Sequence, residues 1–299
     1  MVIGEFLMPY KAAPFKSMLN IGGAGVPGCS ASFRQSSSFY YLVIALVFGL
    51  VSHCVSAREI DTCKPTFEDN FEGNSLAPHW QIVEGDGCEQ SLCGWGNNEV
   101  QHYATSQIRV EGGELVIQMA ERDGEVVSGK LTTENLFDQK YGRFEARLSF
   151  PDARGSWPAF WLLPASSEKW PLKGEIDILE WTGNDPHRVI AAAHFGQLSP
   201  ENVHYAETLR LPESLLDGFH TVAIEWRPGE IVWEINGRRH AELRPKDIQP
   251  HAWIFDESTF YMIINLAVGG TLGGQIVHED MPAALRVDWV RVFPLSCLD

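Results

Sequence analysis

The sequence is poor in basic residues and contains no long hydrophobic segment. Of its 299 residues 23 are Lys or Arg and 39 are Asp or Glu, which gives a net charge of −16 at pH 7. This acidity argues against nucleic acid or an anionic membrane surface as partner, since both attract basic patches. A 13-residue apolar run at 39–51 is too short to cross a bilayer comfortably. We also find no nucleotide-binding loop, no Ser–His–Asp arrangement and no catalytic metal motif, so no catalytic cofactor is expected.

Residues 1–57 are predicted to be an export leader. The apolar run has the length of a signal-peptide h-region, a weakly basic segment precedes it, and Ala57 ends a V-S-A cleavage pattern. Cleavage there leaves 58–299 as one domain; a start at Met18 or an uncleaved signal anchor are the alternatives. Because the leader carries three basic residues and one acid, the remaining 242 residues carry 20 basic and 38 acidic residues, a net charge of −18. We expect a secreted or periplasmic monomer, with no membrane partner after processing, that acts on an uncharged substrate.

Four cysteines follow the leader, and they are Cys63, Cys88, Cys93 and Cys297. An even number in an exported chain favours disulfides, for which three pairings exist. In one of them, Cys88–Cys93 closes a short glycine-flanked loop. Cys63–Cys297 would then join the two ends of the domain, which requires the first and last strands to be neighbours. A metal site is the weaker alternative, because no histidines have the matching spacing.

Alternating hydrophobic patterns predict an all-β chain. The predicted strands are 143–150, 221–226, 231–235, 238–243, 260–268 and 285–293, with turn signals at Pro228-Gly229 and Asn236-Gly237. The run at 260–268 is almost continuously apolar, as in a strand covered on both faces. One short helix is predicted around 211–218. Without internal repeats or linkers, this pattern indicates a single antiparallel β-sandwich.

The segment "GEIDILEW", 174–181, places three carboxylates within six positions. On a strand, Glu175 and Asp177 share one face, whereas Glu180 is out of phase by one residue. A β-bulge near Ile178 or Leu179 would return Glu180 to the same face, and bulges are frequent beside active sites. A solvated acidic strand face is the alternative interpretation. Glycoside hydrolysis needs such a cluster, because one carboxylate attacks or activates water while another carboxylic acid protonates the leaving oxygen.

The segment and its surroundings resemble the active-site strand of family 16 glycoside hydrolases, in the bulged E-x-D-x-x-E form typical of laminarinases (endo-β-1,3-glucanases). The similarity extends through the segments 93–103, 140–151, 155–164, 219–238 and 260–270. It implies a concanavalin A-like jelly-roll β-sandwich with an open substrate cleft on its concave sheet, and retention of anomeric configuration. It also implies that Glu175 is the nucleophile, Glu180 the general acid/base and Asp177 an assisting residue.

The same resemblance suggests further site residues. Trp157 and Trp161 would line the cleft, His194 would lie close to the acid/base, and Asn98 and Arg143 would hydrogen-bond sugar hydroxyls. For each of these, a core or surface role is the alternative. Many relatives bind a structural Ca²⁺, and its ligand positions match Glu68 and Asp288, with a backbone carbonyl near Gly113; ordinary surface acids would give the same pattern.

The predicted function is therefore a secreted, retaining endo-β-1,3-glucanase whose partner is a β-glucan polysaccharide. The alternatives are a mixed-linkage β-glucanase or galactanase of the same family, a transglycosylase, or a non-catalytic glucan recognition protein. Assay of reducing ends released from laminarin separates the enzymes from the recognition protein.

Overall fold

The computed structural model describes residues 63–196 and 202–298, so the predicted leader lies outside the described residues. Almost all regular structure in these ranges is β-strand. One α-helix, α1 (Gly270–Gly273), is accompanied by short 3-10 helices at Cys88–Gln90, Cys93–Gly96, Thr105–Gln107, Pro245–Asp247, His278–Asp280 and Leu295–Cys297. Within the described ranges, no helix has the length and hydrophobicity needed to cross a membrane.

Eighteen strands of the described chain form two sheets. The first nine are β1 (Phe67–Asp69), β2 (Gln81–Ile82), β3 (His102–Tyr103), β4 (Ile108–Glu111), β5 (Glu114–Arg122), β6 (Glu125–Ser128), β7 (Lys130–Thr132), β8 (Asp138–Gln139) and β9 (Gly142–Ser149). The others are β10 (Ser156–Pro164), β11 (Glu175–Trp181), β12 (Arg188–Gly196), β13 (Asn202–Arg210), β14 (His220–Arg227), β15 (Glu230–Ile235), β16 (Arg238–Leu243), β17 (Phe260–Val268) and β18 (Ala283–Phe293). Each predicted strand is present.

The ten-stranded sheet has the order β16-β15-β14-β9-β18-β5-β6-β3, with β1 beside β18 and β4 beside β5. The eight-stranded sheet has the order β13-β12-β11-β10-β17-β7-β2, with β8 beside β17. Neighbouring strands run antiparallel except β3 and β6. This arrangement confirms the predicted all-β jelly-roll sandwich.

The core is formed by alternate residues of the long strands. On β9 the inward side chains are Phe144, Ala146 and Leu148, and β14 and β15 follow the same alternation, whereas on β18 the alternation shifts by one residue after Val287. The eight-stranded sheet contributes the other half, and its strand β17 is buried along almost its whole length, as predicted. Because one face of each sheet is used by the core, the opposite face of the eight-stranded sheet is free to carry polar side chains.

The two disulfides of the described chain have one of the three pairings that the sequence leaves open. Cys63 is bonded to Cys297, and Cys88 to Cys93. The first requires the ends of the domain to meet, and β1 does pair with β18. Of the three pairings open from sequence, the structure therefore selects the one that combines a local loop with an end-to-end link.

The predicted helix at 211–218 is wrong. These residues form bends and turns that end at Gly218, where φ is +80°. Leu215 is buried in the core from this loop. A stretch of two turns has little to offset the cost of helix nucleation, so the tertiary contact of Leu215 decides its conformation.

Candidate active site

Strand β11 contains the bulge that the sequence predicts. The residues of β12 opposite Asp177 and Glu180 are two positions apart, although these two acids are three apart on β11. The extra residue lies at Ile178–Leu179, and both side chains are 1% exposed within the core. Since two successive side chains point inward, Glu180 returns to the face of Glu175 and Asp177. The structure thus confirms that the broken rhythm of the motif gathers three carboxyl groups on one face.

His194 of β12 lies beside two of these carboxyl groups. The strand register pairs it with Glu175. Its Nε2 atom is 3.6 Å from Oε1 of Glu175 and 3.4 Å from Oδ2 of Asp177. The indole of Trp170, in the β10–β11 loop, donates a hydrogen bond of 2.9 Å to Oε2 of Glu175. His194 was predicted near Glu180, but its ion-pair contacts are at the Glu175 end of the cluster.

Burial raises the pKa of all three carboxyl groups to about 8. Negative charge on Asp177 adds to this shift at both glutamates, so the cluster does not carry three charges near neutral pH. At Glu175 the shift is opposed by His194 and by the hydrogen bond from Trp170, both of which lower its pKa. His194 lowers the pKa of Glu180 as well, and charge on Glu180 raises the pKa of Glu175, so ionisation of one glutamate favours the protonated form of the other.

The arrangement supplies the two groups that nucleophilic displacement at the anomeric carbon of a sugar requires. An ionised carboxylate at Glu175 can act as nucleophile, and a protonated Glu180 on the same face can give its proton to a leaving oxygen. Asp177 lies between them in the strand, where its charge raises the pKa of both neighbours. One strand therefore carries two carboxyl groups that can serve as nucleophile and acid, and between them a third carboxyl group that raises the pKa of both.

Both predicted cleft tryptophans lie on β10, which pairs with β11, and they occupy the same face as the acids. Trp161 is opposite Asp177 in the register and is partly exposed; its Nε1 donates a hydrogen bond of 2.7 Å to Asn265. Trp157 is only 8% exposed, because its ring lies against Gly270 of α1. Its indole N–H has no hydrogen-bond partner among the described residues. Trp161 therefore offers a surface to a ligand, whereas Trp157 is almost enclosed on the same face.

Lys130 is a site residue that the sequence did not reveal. It lies on β7 opposite Asn265, which places it on the same face as Trp161. Its ammonium nitrogen is 4.1 Å from the ring centroid of Trp95 and 5.2 Å from that of Trp161. A third ring, Tyr103, lies 5.8 Å away. Burial lowers the pKa of Lys130 to about 8. In the sequence a single lysine at the start of a short strand looks like any surface cation.

Asn98 and Arg143 have different outcomes. Asn98 is exposed and adopts a left-handed conformation with φ of +57°, in the loop that follows Trp95. Its predicted contact with sugar hydroxyls stays a prediction. Arg143, by contrast, belongs to β9 of the ten-stranded sheet and is 6% exposed, with ion pairs of 2.7 Å to Glu145 and 2.8 Å to Glu234. The predicted role of Arg143 at this site is therefore wrong, because β9 contributes to the other sheet and its charge is already paired there.

The predicted calcium ligands are also engaged by other groups. Glu68 accepts a hydrogen bond of 2.9 Å from Arg291, and Asp288 is paired with Arg147. Gly113 lies in the turn between β4 and β5. Two carboxylates that are neutralised by guanidinium groups are a poor fit for a cation, which needs their oxygens free. A structural calcium site stays a prediction, and no step of the chemistry depends on it.

Comparisons with known proteins agree with this geometry. The family described as "Glycosyl hydrolases family 16" matches residues 95–291. A beta-glucanase from Rhodothermus marinus is 37% identical over 250 residues, which cover 73% of this chain and 86% of the relative. A glucan endo-1,3-beta-glucosidase from Cryptopygus antarcticus is 32% identical over 231 residues, covering 70% of this chain and 81% of the relative.

A solved structure shows the same fold. The laminarinase from Flavobacterium sp. UMI-01 superposes with a TM-score of 0.70 and is 33% identical, with 77% of this chain and 100% of that chain covered. The family match spans β10, β11 and β12, which carry the three carboxyl groups, Trp161 and His194. The chain belongs to glycosyl hydrolases family 16 and is a glycoside hydrolase.

Proposed function

We propose that the protein is a secreted, retaining endo-β-1,3-glucanase that hydrolyses internal linkages of laminarin-type β-glucans. The observation that carries the proposal is the bulge at Ile178–Leu179, which puts Glu175, Asp177 and Glu180 on one face. The names of the relatives, a beta-glucanase and a glucan endo-1,3-beta-glucosidase, support a β-glucan as substrate. Secretion is supported by the two disulfides, which persist mainly in oxidising compartments.

In the proposed reaction, the Glu175 carboxylate attacks the anomeric carbon while the Glu180 carboxyl protonates the departing glycosidic oxygen. The carbon–oxygen bond to the leaving sugar breaks, and a glycosyl ester on Glu175 forms. Glu180, now ionised, takes a proton from water, whose oxygen attacks the same carbon and releases Glu175. Two inversions give a product with the original configuration. Asp177 shares a hydrogen bond with Glu175 and raises the pKa of Glu180.

The proposed binding surface lies on the same face as the three acids. Trp161 presents a partly exposed indole, which can stack on the apolar face of a sugar ring. The Lys130 ammonium can donate hydrogen bonds to hydroxyl groups from among its three aromatic neighbours. Trp161 is uncharged and Lys130 is cationic, so neither residue adds negative charge to this surface, which suits a neutral polysaccharide.

Two variants test the assignment of roles. Glu175→Ala and Glu180→Ala should each lose nearly all release of reducing ends from laminarin, whereas Glu207→Ala, at an exposed position of β13, should retain it. Azide with an activated aryl β-glucoside separates the two roles. It should give the α-glycosyl azide with Glu175→Ala, where it occupies the place of the nucleophile, and the β-glycosyl azide with Glu180→Ala, where it intercepts the ester. The reverse pattern would exchange the two roles.

Product profiles on laminarin, mixed-linkage glucan and agarose, measured side by side, test the substrate. Fast cleavage of laminarin into short oligosaccharides supports the proposal. Preference for either of the other polymers would replace it with a mixed-linkage or galactan-cleaving enzyme. Binding of laminarin without release of reducing ends would indicate a recognition protein.

A further inference from the structure

A row of rings crosses the end of the eight-stranded sheet beside the nucleophile. In the strand register Glu175 pairs with His194, and His194 pairs with His204 of β13. Paired residues of neighbouring strands share a face, so His204 lies on the same face as the catalytic acids. The ring centroids of His194 and His204 are 5.5 Å apart, and those of Trp170 and His194 are 5.6 Å apart. The row therefore runs from the Glu175 carboxyl group to the last strand of the sheet.

The outer two rings of this row are open to solvent. Trp170 is 46% exposed although its N–H is bonded to Glu175, and His204 is exposed on the edge strand. His204 makes no hydrogen bond to another described residue, so its place on this face is not explained by a polar contact. Desolvation and the neighbouring His194 lower the pKa of His204, which favours a neutral ring near neutral pH. A row of rings with exposed outer members beside the acidic cluster is suited to an uncharged ligand with apolar faces.

We propose that Trp170, His194 and His204 form a ring platform that extends the glucan-binding cleft from the nucleophile to β13 and takes glucose residues beyond the cleaved linkage. Sugar rings expose C–H faces that stack on aromatic surfaces, while imidazole nitrogens can bond hydroxyl groups at the ring edge. The platform rests on the proposed function, since it needs a chain of neutral sugars in the cleft. It lies on the other side of β11 from Trp161 and Lys130, so the two surfaces hold different parts of one substrate chain.

The platform predicts a dependence on substrate length. His204→Ala should lower kcat/KM by about 3- to 10-fold on laminari-oligosaccharides long enough to reach β13, as expected for the loss of one stacking contact. The loss should appear mainly in KM and should shrink as the oligosaccharides are shortened. His204→Phe, which keeps a ring but not the imidazole nitrogens, should restore most of the affinity.

The matched control is Glu207→Ala, because Glu207 lies on the same strand with its side chain on the opposite face and exposed. It should leave kcat/KM unchanged at every length, and thermal unfolding should confirm that all variants are folded. Equal losses at all lengths with His204→Ala, or a His204→Phe variant as impaired as the alanine variant, would overturn the platform. Failure of the wild-type protein to cleave any laminari-oligosaccharide would instead refute the proposed function, so the two failures are distinguishable.

Discussion

Replacing Asp177 with asparagine should stabilise the protein at neutral pH while impairing catalysis. Asp177 is 4% exposed, and its Oδ2 atom has no hydrogen-bond partner, although Nε2 of His194 lies 3.4 Å away. An ionised carboxylate in such a place loses the hydration that it has in the unfolded chain. Asparagine has nearly the same shape and carries no charge, so the substitution removes this penalty without leaving a cavity.

The size of the expected stabilisation follows from the shift in the pKa of Asp177. The Asp177 carboxyl has a pKa of 3.8 before burial, and burial raises the pKa to about 8 in the folded protein. Between these values the folded state binds more protons than the unfolded state, so stability falls as pH rises through this window. At pH 7 the window spans about three pH units, or about 4 kcal/mol at 1.36 kcal/mol per unit. The hydrogen bond shared with Glu175 is worth about 1 kcal/mol, which leaves a net gain of about 3 kcal/mol.

Thermal unfolding at fixed ionic strength tests this value. For a domain of this size the gain corresponds to a Tm increase of about 6 to 12 °C at pH 7. At pH 4 the unfolded carboxyl is about half protonated, so the increase should nearly vanish. Glu207→Gln, at an exposed carboxylate, should show no such pH dependence. A Tm difference for Asp177→Asn that is the same at pH 4 and pH 7, or that is negative at pH 7, would refute the argument that Asp177 is destabilised by burial.

Burial raises the pKa of Glu180 to about 8, so its role as acid predicts that kcat falls as pH rises through about 8. Asp177→Asn should move this alkaline limb to lower pH, because it removes a charge that raises the pKa of Glu180. A limb that stays in place would contradict the coupling. Lys130→Met keeps the aliphatic stem but removes the ammonium, so KM for laminarin should rise about 3- to 10-fold with little change in Tm. The affinity of the wild-type protein should weaken above pH 8, because the ammonium of Lys130 deprotonates there. An unchanged KM would show that Lys130 does not bind the substrate. The double variant Cys88→Ser/Cys93→Ser opens the loop that precedes Trp95 and should mainly raise KM, with a smaller effect on Tm. The double variant Cys63→Ser/Cys297→Ser should instead cost about 2–5 kcal/mol of stability with KM unchanged. Equal effects of the two double variants on KM would refute the distinction.

Much of the fold could be predicted because its signals are local. Alternation identified most of the strands that we predicted, since a side-chain period of two is visible in any single strand, and a continuous apolar run identified the strand at 260–268. The same logic located the bulge, because Glu180 is out of phase with Asp177 by one residue. The prediction of a helix at 211–218 was wrong because this segment is a loop whose hydrophobic residue Leu215 packs in the core. That contact depends on the distant arrangement of the sheets, which no local period encodes.

The site residues divide along the same line. The three carboxyl groups lie on one strand, so their spacing alone contains the geometry. Lys130 comes from β7 and Trp95 from the segment that follows the disulfide-closed loop, and only the fold brings them into contact. Arg143 was assigned to the site by the family resemblance, and alternation on β9 could not correct this, because it shows that Arg143 faces away from the core but not to which sheet the strand belongs. Sequence period therefore predicts the face of a residue, whereas membership of a sheet needs the topology.

The bulge links the chemistry of this site to its stability. In a regular strand Glu180 would point inward, where a buried, unpaired carboxylate is strongly destabilising. The bulge instead sends both Ile178 and Leu179 inward, and the one additional aliphatic side chain in the core contributes about 1.5–3 kcal/mol. This is close to the net cost of about 3 kcal/mol that remains for the Asp177 carboxyl group at neutral pH once its hydrogen bond with Glu175 is counted. The same irregularity that gathers the acids on one face therefore strengthens the core behind them, which allows a destabilising cluster of carboxyl groups to persist on a sheet strand.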